Sequence, residues 1–507
     1  MIQSSMHEFL LSEFDLGAST AENDPLLEIA KIETQEWNDL YWHDRIDLIR
    51  GIKGSGKTAL YRLFSLLQSY IIEKRNTYCV FGVEPSGDPI FKLYQNDFAN
   101  FNEYEFENFW CIYFISLVYN LIYSTEDLKS LLKNDLSRID IILLRMGLKF
   151  SKDGFSRKDS ITSYLKTIAK SKMSFGIKTD IDPITSFPSF TPTFEIDPKD
   201  AEELSSRPIY IAEFRDELAK LLNNKNIRIW VMLDRLDEVF PHRSDVEKIG
   251  LRSLLKASYN FSHPNLRTKI FMRDDIIGYL AADGFTALTH VTDRSSSTMS
   301  WSKDELLYLI VKRISAISHL QTYFKIDQEK VNTDKEYREH VFASLFSSKI
   351  GKMNTMDWLY SNCSDANNIV TPRDMIDFFK FAKSEQYKKH KLNPKNQEYL
   401  ISEDCFKKAL DDLSAHKKDT FLFAEFPHLK EVFLKFEGAH SEYDKQSLEN
   451  LLGPEYLKII EDLRGIGFIK HIPKSGTYKI SSIWRKGLNV RRGKAHVKRA
   501  PRRKKVT

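Results

Sequence analysis

The sequence has few cysteines, and no pattern joins them. Four cysteines are spread over 507 residues, and no two stand in a C-x-x-C pair. Neither a disulfide framework nor a cysteine-based zinc site is therefore predicted. The histidines likewise lack the spacing of metal ligands. This pattern favours a reducing, cytoplasmic location.

Long hydrophobic runs are also missing. The most apolar stretch, residues 109–123, includes Asn120 and is too short to span a bilayer, so it predicts a buried helix. The N-terminal residues 1–14 are mixed and acidic and do not resemble a secretory signal. No fixed-period repeat appears. We therefore expect no membrane association.

Acidic residues are absent from the last part of the chain. Residues 491–507 hold nine Lys and Arg, although the whole chain carries a net charge of only +5. Such a segment cannot bury apolar surface, so a disordered basic tail is predicted over 491–507. Two interpretations fit this tail: salt-sensitive contact with nucleic-acid phosphates, or a solubilising terminus.

The most informative stretch is residues 51–58, GIKGSGKT, which fits the phosphate-binding P-loop G-x-x-x-x-G-K-[ST]. Its glycines allow a tight turn that points backbone N–H groups at phosphate oxygens. A predicted strand at 45–49 precedes the loop and helical spacing over 59–75 follows it, as the motif requires. The loop predicts ATP and Mg²⁺ as cofactors, with Lys57 at the β- and γ-phosphates and Thr58 on the metal. The predicted nucleotide-binding residues are Gly51, Gly54, Ser55, Gly56, Lys57 and Thr58.

A second motif follows a continuous apolar run at residues 229–233. That run predicts a strand buried in a parallel sheet, ending at Asp234, which we assign to the Mg²⁺ side as a Walker B aspartate. The next position, where many P-loop ATPases have glutamate, holds Arg235, which cannot accept a proton. Asp237 and Glu238 are therefore the candidate catalytic carboxylates that orient water.

Two arginines are candidate phosphate sensors. Arg273 follows an apolar strand predicted over 268–272, in the order expected of an ATPase core with an added central strand. Arg373 lies in the first turn of a helix predicted to begin with Thr371 as N-cap and Pro372 at its first position. The helix dipole does not favour a cation there, which indicates another role. The alternative for each arginine is an ordinary surface ion pair.

These segments together resemble a group of bacterial P-loop ATPases that are similar to the STAND and origin-recognition ATPases. The matching segments are LGASTAEND at 16–24, GIKGSGKT at 51–58, LDRLDE at 233–238, KIFMRDDI at 269–276, WSKDELL at 301–307 and TPRD at 371–374. Arg235 departs from the STAND pattern, which has a small residue after the strand aspartate. The resemblance implies an α/β P-loop NTPase core with a parallel sheet, of the ASCE or AAA-like kind. Helical periodicity after the core predicts a helical lid, and helices followed by a hairpin with its turn at 473–477 predict a C-terminal winged-helix-like domain.

The predicted division of the chain follows from these segments. The entry segment, 1–41, would contribute Trp37 and Tyr41 to an adenine pocket. The remaining predicted parts are the ATPase core at 42–299 with an insertion at about 149–207, the helical lid at 300–416, the winged-helix-like domain at 417–490 and the tail at 491–507. Acidic residues in the helix predicted at 455–463 favour internal packing of the winged-helix-like domain over DNA contact.

The resemblance implies an ATP-binding and ATP-hydrolysing molecular switch. We expect it to form a homo-oligomer or recruit a partner protein, as in antiphage or conflict systems. One alternative is a DNA-associated ATPase resembling origin-recognition proteins. Another is a nucleotide-binding scaffold with little turnover, which Arg235 at the usual glutamate position would explain.

Overall fold

A computed structural model describes residues 1–83, 91, 98–133, 136–145, 177–181, 188–194, 209–241 and 244–495. The chain falls into two compact units. The sheet unit comprises Glu33–Lys53 and Lys57–Met299, and the helical unit comprises Met1–Ile32, Gly54–Gly56 and Ser300–Thr507. The predicted entry segment, lid and C-terminal domain thus share one unit for most of their length.

The sheet unit is built on five parallel strands. They are β1 (Leu48–Gly51), β2 (Thr77–Gly82), β3 (Arg228–Leu233), β4 (Leu266–Arg273) and β5 (Ser295–Met299), in the spatial order β2-β3-β4-β1-β5. β4 lies between the P-loop strand β1 and the Asp234 strand β3, so the predicted added central strand is present. The core is an α/β P-loop NTPase fold, and the carboxyl ends of its strands meet at one edge.

Helices and further short strands complete the sheet unit. The predicted buried helix at 109–123 is confirmed as part of Glu103–Ser124, and its side chains join the main core of the unit. The predicted helix over 59–75 is divided, since Lys57–Leu66 ends before Gln68–Arg75 begins. The other helices are Gln35–Trp37, Asn38–Trp42, Glu126–Leu132, Leu136–Arg145, Ile211–Asn224, Leu236–Glu238, Asp245–Phe261, Asp274–Ala281 and Leu288–Val291, and the short strands are Ile177–Ile181, Pro188–Phe194 and Ile209–Tyr210.

A buried ion-pair network fixes β4 beside the start of β1. The Lys269 side chain is fully buried, and its Nζ donates to Asp44 Oδ1 at 2.5 Å and to Asp47 Oδ1 at 2.6 Å. Burial alone would raise the pKa of Asp47, but Lys269 and Arg294 hold it below its ordinary value. Strand β1 begins at Leu48, three residues later than predicted, directly after this network.

The helical unit holds one hydrophobic core that runs from the N-terminal helix to the C-terminal strands. Its helices are Ser4–Glu13, Ala21–Asn23, Lys303–Ser315, Ser318–Phe324, Gln328–Thr333, Lys335–Leu345, Thr355–Cys363, Pro372–Leu392, Glu403–Lys417, Lys418–Phe423, Pro427–Leu429, Lys430–Leu434, Lys445–Leu452, Tyr456–Gly465 and Ser482–Arg485. Two short strands, Lys349–Ile350 and Met353–Asn354, pair with each other. Among the described residues, no helix has the length and apolar character needed to cross a bilayer.

The C-terminal part of the helical unit carries a four-stranded sheet. A hairpin joins Ile469–Ile472 to Thr477–Ile480, and His440–Tyr443 lies between the hairpin and Arg491–Lys494. Residues 491–494 are therefore ordered, which corrects the expected start of a disordered tail at Arg491, because they pair with a neighbouring strand. Residues 496–507 lie outside the described part of the chain, as does most of the predicted insertion. The winged-helix assignment remains a prediction.

Candidate nucleotide-binding site

The P-loop lysine lies in the sheet unit, at the carboxyl edge of the sheet. Lys57 begins the helix Lys57–Leu66, and its Nζ donates to Gly51 O at 2.8 Å and to Ile52 O at 2.9 Å. Only 8% of Lys57 is exposed, and this burial lowers the pKa of its ammonium group to about 8 despite the nearby Asp234. The loop therefore holds a desolvated cation that a phosphate group would stabilise.

Asp234 lies within the same cluster, at the end of β3. Burial raises the pKa of its carboxyl group to about 6, although Thr58, Arg235 and Lys57 all favour the charged form. The Thr58 hydroxyl and the Arg235 backbone N–H donate to this carboxylate. Its other oxygen, Oδ2, is buried and has no hydrogen-bond partner among the described residues. A buried acceptor without a partner is what a bound cation would satisfy.

The turn after Asp234 explains how an arginine is accommodated there. Arg235 adopts the left-handed conformation, with φ +56°, which aims its backbone N–H at Asp234. A 3₁₀ turn, Leu236–Glu238, follows. The Arg235 guanidinium points to Glu238, with 3.2 Å between Nη1 and Oε1, and the Glu238 side chain is about half exposed at 52%. Glu238 is thus engaged at the outer side of the turn.

The other candidate carboxylate, Asp237, is held by the predicted sensor Arg273. Arg273 Nη1 donates to Asp237 Oδ2 at 3.1 Å, and its Nε donates to Asp275 Oδ1 at 3.0 Å. Arg273 and Asp237 both act electrostatically on Lys57. Of the charged site residues predicted in the sheet unit, the structure therefore brings together Lys57, Asp234, Asp237 and Arg273.

One member of the cluster was missed by the sequence interpretation. Asp274 follows Arg273 at the start of the helix Asp274–Ala281, and its charge also acts on Lys57. Its Oδ1 accepts from Arg50 Nε at 2.9 Å, while its buried Oδ2 finds no partner in the part of the chain that the structure describes. The acidic run after β4 was visible in the sequence, but nothing local marks which carboxylate turns inward.

The remaining loop residues, Gly54–Gly56, belong to the helical unit. Trp301 Nε1 donates to Ser55 O at 2.7 Å. Gly54 has φ +84°, and a Cβ added to it would lie 3.2 Å from Thr371 Oγ1 and 3.3 Å from Arg373 Cβ. Arg373, the second predicted sensor, therefore lies against the tip of the P-loop, and its Nε donates to Ser19 O at 3.3 Å.

The aromatic residues proposed for an adenine pocket have a different role. Trp37 and Tyr41 are each 1% exposed, and their rings stack with centroids 5.1 Å apart. Trp37 also packs on Phe64 of the P-loop helix. Both rings are part of the core and present no face to a base, so this expectation is corrected.

The residues present fit a magnesium ion bound together with a nucleotide. Mg²⁺ in phosphate-transfer sites is held by one or two protein oxygens, with phosphates and water as its other ligands. Thr58 and the buried Oδ2 of Asp234 supply such oxygens. The described residues contain no group of three or more His, Cys, Asp or Glu that could hold a metal by themselves. The donor set therefore needs the phosphates.

We expect Asp234→Asn to stabilise the nucleotide-free protein at pH 7. The folded pKa of Asp234, about 6, lies above the ordinary value of 3.8, so the folded state binds the proton more tightly than the unfolded state. Its contribution to stability is present below pH 4 and is lost as pH rises through 6. The uncharged side chain should therefore raise the free energy of unfolding by about 1–3 kcal/mol at pH 7, and by less at pH 5. Urea unfolding at both pH values measures this.

The matched control is Asp293→Asn, which removes an exposed carboxylate of the same unit. Its stability should not differ from that of the parent at either pH. A loss of stability on Asp234→Asn at pH 7 would contradict the assignment of Asp234 as a carboxylate whose burial outweighs its attraction to Lys57.

Comparisons with known proteins add a likeness of fold. No protein-family model matches the chain, and no curated protein matches it. Among solved structures, it is similar to a Walker-type ATPase of Pyrococcus abyssi, with 13% identity, a TM-score of 0.36 and coverage of 90% of this chain and 96% of that one. It is also similar to the ORC2 protein of Aeropyrum pernix, solved as ADPNP–ADP complexes, with 11% identity, a TM-score of 0.37 and coverage of 90% and 93%. Likenesses this distant decide nothing about activity.

Proposed function

We propose that this chain binds ATP with Mg²⁺ and hydrolyses it. The observation that carries the proposal is the pairing of a desolvated P-loop lysine with a buried carboxylate whose Oδ2 has no hydrogen-bond partner among the described residues. Burying each charge without a ligand costs desolvation free energy. In a magnesium nucleotide, the phosphates supply negative charge for Lys57 and the metal supplies positive charge for Asp234. Phosphoryl transfer needs little more from a protein than this positioning and electrostatic stabilisation.

Within that reaction, Asp237 is the better placed of the two candidate bases. Its charge acts on both Lys57 and Asp234, so it faces the phosphate end of the site. Glu238 is half exposed and paired with Arg235. We therefore assign the water-orienting role to Asp237, and to Arg273 the stabilisation of charge on the transferring phosphoryl group.

The same arrangement supports a switch whose helical unit responds to the nucleotide. The tip of the P-loop packs in that unit against Thr371 and Arg373. A phosphate at the loop would bear directly on the first turn of the helix Pro372–Leu392. We propose that this response controls self-association or the binding of a partner protein, in the manner of STAND ATPases.

Lys57→Ala should weaken ATP binding by about tenfold to a hundredfold, because a charge-assisted contact to phosphate contributes about 1.5–3 kcal/mol. Backbone N–H groups of the loop would retain the residual affinity. Equilibrium binding of a fluorescent ATP analogue measures the change. Lys74→Ala, which removes an exposed lysine of the same unit, should bind like the parent. Equal affinity of parent and Lys57→Ala would refute the proposed site.

Asp237→Asn should lower kcat by about a hundredfold or more, with little change in KM, because general-base groups typically contribute 10²–10⁴-fold. Glu238→Gln serves as the matched comparison and should lower kcat by less than about fivefold. Steady-state phosphate release gives both values. The opposite ranking would move the base to Glu238, and absence of phosphate release by the parent would favour a scaffold with little turnover.

A DNA-associated ATPase is a second candidate, which one observation favours. The strand Arg491–Lys494 is exposed along its whole length and presents Arg491, Arg492 and Lys494. Burial lowers the pKa of the Arg485 guanidinium, and the nearby charge of Arg492 lowers it further. A crowded basic edge of this kind suits a polyanion such as the phosphate backbone of DNA.

Alanine at Arg491, Arg492 and Lys494 should weaken duplex DNA binding and reduce the slope of log K against log salt by about 2–3 units, because each lost phosphate contact is worth about 0.9. Fluorescence anisotropy over a salt series measures the slope. Alanine at Lys388 and Lys407, two exposed lysines of neighbouring helices, is the control and should leave the slope unchanged. An unchanged slope in the triple variant would remove this strand from DNA binding.

A further inference from the structure

A buried lysine forms an ion pair with the first turn of the helix that carries Arg373. Lys417 is the last residue of the helix Glu403–Lys417, and its Nζ lies 2.5 Å from Asp374 Oδ2. The two side chains are only 12% and 8% exposed. Each charge also suits its own helix end, since a cation is favoured at a C-terminus and an anion at an N-terminus.

Asp374 has a second task at the same place. The Thr371 side chain accepts from Asp374 N, and Asp374 Oδ2 in turn accepts from Thr371 N, which forms a capping box. The Asp374 carboxylate that pairs with Lys417 is therefore also the cap at the start of the helix Pro372–Leu392. Arg373 lies between Thr371 and Asp374, so its backbone is fixed by this cap.

The other side of Lys417 faces aromatic rings of the C-terminal region. Its Nζ lies 5.2 Å from the Trp484 ring centroid and 5.7 Å from that of Phe421, and these two rings stack on each other. Trp484 is fully buried, and its Nε1 donates to Gly467 O at 2.9 Å. Lys417 is thus held between a carboxylate and two ring faces, an arrangement that suits a desolvated cation.

A second carboxylate increases the dependence on Lys417. Asp365 is nearly buried, and burial raises its pKa, whereas backbone N–H groups of Ile369 and Asn367 and the charge of Lys417 favour its charged form. The Asp365 side chain lies against Gly467, since a Cβ added to that glycine would clash with Asp365 Oδ2. Lys417 is therefore the ion-pair partner of Asp374 and also favours the charged form of Asp365, so its removal would leave Asp374 without its counterion.

We propose that Lys417 is the positioning residue for Arg373, and that it couples the packing of Trp484 to the nucleotide. The inference rests on the proposed function, in which a phosphate at the P-loop bears on the first turn of this helix, and it takes Arg373 to be the side chain that meets the γ-phosphate there. The ion pair with Asp374 fixes the first turn of the helix. Lys417 therefore determines the position of the Arg373 backbone, from which the guanidinium extends. A bound γ-phosphate and a packed Trp484 then stabilise the same position of the helix turn. Binding of the phosphate therefore favours the packing of Trp484, and that packing favours phosphate binding.

The first test needs no nucleotide. In Lys417→Met, the amides of residues 374–377 should exchange hydrogen about tenfold faster or more, because the local opening of the first turn becomes easier. Lys486→Met, which breaks an exposed lysine–aspartate pair with Asp411 in the same region, is the matched control and should leave these amides unchanged. Unchanged exchange in Lys417→Met overturns the proposal, whatever the chain binds.

The second test compares nucleotides. Lys417→Met should weaken binding of a non-hydrolysable ATP analogue by about fivefold or more and binding of ADP by less than twofold, because the coupling acts through the γ-phosphate contact. The loss should disappear when Lys417→Met is made in an Arg373→Ala background. Equal losses for both nucleotides, or an undiminished loss without Arg373, overturn the role of Lys417 as a positioning residue.

A third variant tests the proposal in case Lys417→Met does not fold. The pair Lys417→Met with Asp374→Asn leaves no unmatched charge between these two residues, and such replacements are often well tolerated. This variant should keep a cooperative unfolding transition and still lose the preference for the ATP analogue over ADP. A retained preference overturns the proposal. If the parent binds neither nucleotide, the proposed ATP site fails, while the exchange measurement still decides whether Lys417 holds the helix turn.

Discussion

Two buried charges at the carboxyl edge of the sheet set the main constraint on this structure. Lys57 and Asp234 both lie in the protein interior. Burial favours the neutral form of each, so it lowers the pKa of Lys57 to about 8 and raises the pKa of Asp234 to about 6. Their mutual attraction does not cancel that cost. A fold that keeps such a pair needs a ligand that carries both a negative and a positive charge. A magnesium nucleotide has that character.

The surrounding elements can be understood as means of holding this pair in place. The strand order puts β4 between β1 and β3, so Arg273 and Asp274 at its end come close to the lysine. The ion-pair network of buried Lys269 with Asp44 and Asp47 fixes β4 against β1 near the amino end of β1. Arg235 keeps its guanidinium outside the cluster by adopting a left-handed backbone, and it offers its N–H to Asp234 instead. The position that holds glutamate in many P-loop ATPases therefore contributes a backbone N–H here, and the candidate water-orienting carboxylate is Asp237.

The sequence predicted the parts of the site that depend on local patterns. The P-loop, the apolar strand before Asp234 and the capped start of the helix at Pro372 are each encoded within about ten residues, and each is present. It did not predict contacts between distant segments. Asp274 turns inward because Arg50 and Lys57 lie there. Trp37 packs on Phe64, and Lys417 meets Asp374 across 43 residues of chain. Such contacts depend on the packing of whole helices and strands, which no short window of sequence contains.

The central claim is that a magnesium nucleotide relieves the two buried charges, and proton linkage tests it most directly. Calorimetry of Mg·ATP binding in buffers of different ionisation enthalpy gives the number of protons exchanged. At pH 6, binding should release about half a proton, because the cation lowers the pKa of Asp234 from about 6. At pH 8, binding should take up about half a proton, because the phosphates raise the pKa of Lys57 from about 8. Binding with no proton exchange at either pH would show that the nucleotide does not reach these charges, and would contradict the account.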